Sequence, residues 1–172
     1  ACMSVPTAPR LNQVEGSNTP SIAGSANIAV QDTTSLAGSY KDCAQKVGSH
    51  PCNFRLKDHE GQWWQLYNNH GKTIILDFSA MWCTPCYQAA AESAEILADY
   101  PDRDIVWVTI ILQDQWGFLP QEEAAREWMT AFELQDEVVL LADVDMTKMI
   151  VNGTFYVPNL PTMVILDGNL VI

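Results

Sequence analysis

Trp82-Cys83-Thr84-Pro85-Cys86 is the stretch that decides the fold. Two thiols separated by two residues can close one disulfide across the first turn of a helix. The flanks supply that helix and a strand before it. Upstream, Gly71-Lys72 introduces Thr73-Ile-Ile-Leu-Asp-Phe-Ser79, an apolar run that reads as a central strand covered on both faces. Downstream, Cys86, Ala90, Ala94 and Leu97 recur at helical spacing to about Tyr100, while Glu92, Glu95 and Asp99 face elsewhere. Cys83 then stands at a helix N-terminus, where unpaired backbone N–H groups and the helix dipole favour a thiolate. Pro85 suits the first turn because its missing N–H is not needed there. Cys86, one turn deeper, is shielded and placed to resolve a mixed disulfide formed on Cys83. Half a zinc site would need a second pair of Cys or His ligands, and no His follows His70. A redox-active pair is therefore preferred to an inert bridge or a metal site, and no metal or cofactor is expected.

Working outward, Asn53-Phe-Arg-Leu56 and Gln62-Trp-Trp-Gln-Leu66 alternate, with the turn-rich Lys57–Gly61 between them, and predict a hairpin. Ile105–Leu112 reads as a second buried strand and Gln121–Leu134 as a helix with Pro120 near its start. Val138–Leu141 reads as a short strand and Asp145–Val151 as a short helix before Gly153. Thr162–Leu166 is a strand, Asp167-Gly168-Asn169 a turn, and Leu170–Ile172 the start of a further strand. Ending inside a strand would leave an open edge, so the natural chain is expected to continue into a covering helix that is absent here. Residues 1–40, rich in Ser, Thr, Ala, Gly, Asn and Pro and without an aromatic before Tyr40, read as a flexible tether; residues 41–172 form the folded domain.

Of 172 residues, 48% are hydrophobic, which suffices for a core. The charge is −12, from nine basic and 21 acidic residues. A polyphosphate backbone needs clustered Lys and Arg, so nucleic acid is not a partner class. No apolar run reaches the ~20 residues of a membrane-spanning helix. Between Glu92 and Asp145 there are 14 acids against two Arg, Arg103 and Arg126, which reads as solvated, solubilising helix faces.

Four features of the chain from about Val47 onward resemble the thioredoxin superfamily, in its TlpA/ResA-like branch of secreted thiol–disulfide oxidoreductases. They are Val47-Gly48 with Pro51-Cys-Asn-Phe-Arg-Leu56 and Glu60-Gly61; Gly71-Lys72 with Ile74–Phe78 and Trp82–Cys86; the long stretch between the second core strand and the later strands; and Leu160-Pro161-Thr162 before an apolar strand. The resemblance implies an α/β thioredoxin-like fold: a central mixed sheet flanked by helices, an N-terminal β-hairpin and a central insertion. It implies an enzyme that exchanges protein disulfides through Cys83 and Cys86, reduction being preferred to oxidation, with protein thiols and a redox-partner protein as partners. It also implies a cis bond at Leu160–Pro161 facing the disulfide, the Leu160 backbone being free to pair with an extended substrate. Trp82, Thr84 and Pro85 join Leu160 as candidate substrate contacts. Asp77, inside an apolar strand where burial raises a carboxyl pKa, matches the acidic residue thought to take the proton of the buried thiol. Ala89 stands where reductases of cytochrome maturation often carry Glu, so haem-protein maturation is not implied.

Cys43 and Cys52 flank a loop containing Gly48 and Pro51 and read as a structural disulfide, a staple common in extracytoplasmic domains. Cys2, after Ala1 and before the tether, resembles the acylated cysteine of a bacterial lipoprotein, so the expected address is the periplasm or cell envelope with a lipid anchor. Two other functions compete. A peroxiredoxin-like peroxidase would carry Pro-x-x-x-Thr/Ser-x-x-Cys, whereas Leu76 and Ala80 occupy those offsets before Cys83. A copper chaperone or other non-enzymatic binding module of this fold would want wider cysteine spacing and a downstream His.

Overall fold

The computed structural model describes residues 42–101, 104–135 and 137–172, all within the chain's unit of residues 31–172. The predicted tether and Cys2 lie outside the described residues.

Six strands form one mixed sheet. In chain order they are β1 (Arg55–Asp58), β2 (Trp63–Gln65), β3 (Thr73–Ser79), β4 (Ile105–Ile111), β5 (Val138–Leu141) and β6 (Thr162–Leu166); spatially they run β2-β1-β5-β4-β3-β6. β3, β4 and β5 are parallel, and β1 and β6 join them antiparallel. The expected hairpin pairs Leu56 with Trp64. Its turn is fixed by Asp58, whose Oδ1 accepts from the amides of Glu60 (2.9 Å) and Gln62 (2.8 Å). Gly61, at φ 79°, supplies the left-handed position the turn requires.

Three helices cover the sheet: α1 (Thr84–Ala98), α2 (Glu122–Ala131) and α3 (Val144–Val151). The two-residue period of the strands divides the core. On one face Ile74, Leu76, Phe78, Val108, Ile110 and Leu140 pack with Met146 of α3 and with Phe155. On the other, Ile111, Val139 and Leu141 pack under α1 and α2 with Cys86, Ala90, Ala125 and Trp128. Helices therefore lie on both faces, and the expected mixed sheet with an N-terminal hairpin is the observed architecture.

Several boundaries differ from the sequence reading, each for a physical reason. The buried line of α1 is Cys86, Ala90 and Ser93, while Ala94 is exposed. Ser93 tolerates burial because its hydroxyl lies within hydrogen-bond distance of two acceptors, Ala90 O (2.8 Å) and Glu137 Oε1 (3.0 Å), that share its one hydrogen. α2 stops at Ala131, since Glu133 adopts φ 53° and the Leu134 amide turns back to Met129 O. α3 begins one residue early because Asp143 caps it, its Oδ1 accepting from the amides of Asp145 and Met146. Leu170–Ile172 is not a strand. Asp167 Oδ1 takes the amides of Asn169 and Val171 (both 2.9 Å), Leu170 turns to φ 60° with its side chain buried, and Ile172 bonds to Gly48 and Ser49 instead.

Cys43 and Cys52 are joined by a disulfide, Cα–Cα 4.7 Å. By restricting the unfolded chain, such a short-loop bridge contributes about 2–4 kcal/mol. No helix among the described residues is long and apolar enough to cross a membrane.

Candidate active site

The parallel strand β3 hands the chain over to α1 through Ala80-Met81-Trp82, and Cys83 occupies the N-cap. Its backbone is extended (φ −88°, ψ 101°), and its sulfur accepts from the Cys86 amide at 3.2 Å. Pro85 lies in the first turn, where no donor is lost. Cys83 and Cys86 are joined in a disulfide, Cα–Cα 5.3 Å. Cys86 is fully buried and Cys83 is 3% exposed, so an attacking group reaches the bridge only by the narrow edge at Cys83. Thr84 and Pro85 are exposed beside it.

Asp77 is completely buried. It pairs in register with Thr109, and alternation along the strands puts both on the α1 face of the sheet, the face that holds Cys86. Asp77 Oδ1 accepts from Ser79 Oγ at 3.0 Å, while among the described residues none lies within hydrogen-bond distance of Oδ2. Loss of hydration pushes the carboxyl up to about 6; the polar hydrogens of Ser79, Thr109 and Trp107 pull it part of the way back. A pocket of about 290 Å³ between α1, β4 and β6, walled by Pro85, Gln88, Trp107 and Met163, flanks the same strand position.

The Leu160–Pro161 peptide bond is cis, and Leu160 packs against the cluster that holds Cys83 and Cys86. No backbone hydrogen bond occupies Leu160 among the described residues. Leu160 and Trp82 together border a groove of about 460 Å³, whose remaining walls include Leu112, Leu119, Ile150 and Val157. None of its lining residues is charged, in a chain of net charge −12. The Trp82 indole, 51% exposed, is oriented by donation to Gln113 Oε1 at 2.9 Å. Next to Gln113, Asp114 Oδ1 takes the amides of Trp116 and Phe118, and this tight loop displays both rings at 75% and 71% exposure.

The structure thus gathers Cys83, Cys86, Trp82, Thr84, Pro85, Leu160 and Pro161 at one end of the sheet, with Asp77 beneath. Cys43–Cys52 is a separate bridge, and Cys2 lies outside the described residues. Gln113, Ser79 and the Asp114–Leu119 loop were not singled out from sequence. Ser79 had a signal, since a residue two beyond Asp77 shares its face; Gln113 had none, because its partner is 31 residues away. Among the described residues no cluster of three His, Cys, Asp or Glu could hold a metal.

Comparison with known proteins bears on this arrangement. The AhpC/TSA family matches residues 47–172. Thioredoxin H5 of Oryza sativa is 56% identical over 41 residues, 24% of this chain and 29% of that protein. The thiol-disulfide oxidoreductase ResA of Bacillus cereus is 25% identical over 122 residues, 71% of this chain and 64% of that one. Among solved structures, the thioredoxin domain of a thiol-disulfide oxidoreductase from Bacteroides vulgatus superposes with a TM-score of 0.61 at 16% identity, covering 74% of this chain and 86% of that one. At that identity the likeness establishes a thioredoxin-like fold. The chain spans 29–70% of the lengths of the curated relatives it matches.

Proposed function

The chain belongs to the AhpC/TSA family, and from that premise we propose that it is a thiol–disulfide oxidoreductase acting on protein disulfides. The observation that carries this reading is the Cys83–Cys86 disulfide at the start of α1, with Cys83 at the cap and Cys86 buried behind it. In the reduced protein the free N–H groups of the first turn stabilise a Cys83 thiolate. That thiolate attacks a substrate disulfide, forms a mixed disulfide and expels one substrate thiolate. Asp77 accepts the Cys86 proton, and the Cys86 sulfur attacks Cys83. The second substrate sulfur leaves as a thiolate that takes a proton from solvent, Asp77 gives its own proton up to solvent, and the bridge seen in the structure is restored. A dithiol of a redox partner returns the pair of electrons. The unpaired backbone of Leu160 offers an extended substrate a donor and an acceptor, and the uncharged groove receives its apolar side chains.

Reduction is the proposed direction. The Cys43–Cys52 bridge suits an oxidising compartment, and with Cys2 as a lipid attachment it supports a bacterial envelope address. The domain is proposed to start near residue 41, with residues 1–40 as its tether.

A thiol peroxidase is the second reading, favoured by the family itself. Leu76 and Ala80 lack the side chains that surround a peroxidatic thiol. Insulin reduction, peroxide consumption and Cu(I) binding, assayed side by side, separate the alternatives. Dithiol-driven insulin reduction is expected. Peroxide turnover or Cu(I) binding without it would move the assignment to peroxidase or copper carrier.

A further inference from the structure

The irregular chain between α3 and β6 carries Leu160 and the cis bond, and its residues Val157–Leu160 form one wall of the groove. It is tied down at its start by the Phe155 amide, which donates to Met149 O at 3.0 Å. The next residue, Tyr156, is held from a distant part of the sequence. Gln45 Nε2 donates to Tyr156 O at 3.2 Å, and Gln45 Oε1 accepts from Tyr156 N. One side-chain amide thus takes up both backbone groups of a residue 111 positions away, as a neighbouring strand would. From Val157 to Leu160 no backbone-to-backbone bond follows among the described residues. Within that stretch Asn159 O accepts from the Thr162 hydroxyl at 2.6 Å, and Gln45 is the anchor on its N-terminal side.

Gln45 is in turn held by the Cys43–Cys52 loop. The far side of that loop is fixed to the body of the domain: Gly48 and Ser49 bond to Ile172, and Pro51 O accepts from the Tyr67 hydroxyl at 2.6 Å. The near side, where Gln45 sits, is joined to it by the disulfide, by the Ala44 amide donating to His50 O at 2.9 Å and by the Ser49 amide donating to Lys46 O at 2.9 Å. We propose that Gln45 is a positioning residue for the substrate-binding segment, and that the Cys43–Cys52 bridge keeps Gln45 in place to do so. The proposal rests on the oxidoreductase reading for its effect on turnover, but the clamp itself does not depend on it.

Gln45→Met keeps the side chain's length and removes both bonds, leaving Cys83, Cys86 and Asp77 untouched. The KM for insulin should rise about five- to tenfold with kcat within about twofold. A small disulfide that needs no pairing along Leu160 should be turned over as before. Gln45→Glu, which keeps an acceptor and loses the donor, should fall between. Cys43→Ser/Cys52→Ser should reproduce the KM change, and adding Gln45→Met to it should change little further, because the two act through one contact. Hydrogen exchange of the Tyr156 amide should quicken in Gln45→Met whether or not the protein turns over. Unchanged exchange and KM in Gln45→Met would overturn the clamp, and so would bridge and Gln45 effects that multiply. If the double-serine protein does not fold, Gln45→Met, which retains both bridges, still decides. Wild-type protein that leaves insulin closed while Gln45→Met speeds Tyr156 exchange would sink the oxidoreductase reading and uphold the clamp.

Discussion

Cys83→Ser is expected to lower insulin reduction by at least about a thousandfold, since the nucleophile itself is lost. Cys86→Ser should also stop turnover, but in a different state. Cys83 can still attack, and nothing buried behind it can release the product. The Cys86→Ser protein should therefore accumulate a mixed disulfide with its substrate, seen by mass spectrometry as an adduct that a reductant removes. The asymmetry follows from the site: Cys83 stands at the helix cap and keeps a small exposed edge, and Cys86 is fully buried behind it. Equal trapping by both variants, or a Cys83→Ser protein retaining a tenth or more of the activity, would contradict these roles.

Asp77→Asn should stabilise the protein at high pH while slowing it. The folded carboxyl titrates near 6, against 3.8 for an ordinary Asp. Between those values the folded state holds a proton that the unfolded chain has lost, so stability declines as pH rises through about 6. Above that, the buried anion costs up to about 3 kcal/mol. Asn removes the cost. Urea unfolding should show Asp77→Asn more stable by up to that amount at pH 8, with the difference gone by pH 4. Activity should move the opposite way. In the wild type, turnover should fall as pH drops below about 6 and the base becomes protonated. The variant should be slower by about a hundredfold at pH 7 and lack that limb. An unchanged pH profile, or a gain in stability over wild type no larger at pH 8 than at pH 4, would remove Asp77 from the proton path.

The strand–helix hand-over around Cys83 was legible because its signals are local. An apolar run, a CxxC pair and a first-turn proline each act within a few residues. The hairpin and the parallel strands were legible for the same reason. The cis bond at Leu160 came from resemblance, since nothing in the local chemistry of Leu-Pro-Thr distinguishes cis from trans. What escaped the sequence depends on partners far along the chain. Ser93 looks like a surface position until Glu137 closes on its hydroxyl, and the helix therefore rotates its buried line away from Ala94. Leu170–Ile172 has strand composition, but the Asp167 carboxylate gathers two amides and bends it. Gln45 and Tyr156, or Trp82 and Gln113, are ordinary polar and aromatic residues until the fold brings them together.

The central claim is that the cap position of α1 makes the Cys83 sulfur a thiolate in the reduced protein. Its titration, followed by thiolate absorbance and by the pH dependence of alkylation, with Cys86→Ser to isolate the signal, tests this directly. The account predicts that Cys83 loses its proton well below the ~8.5 of a free cysteine. A Cys83 that remains protonated to 8.5 or above would contradict it.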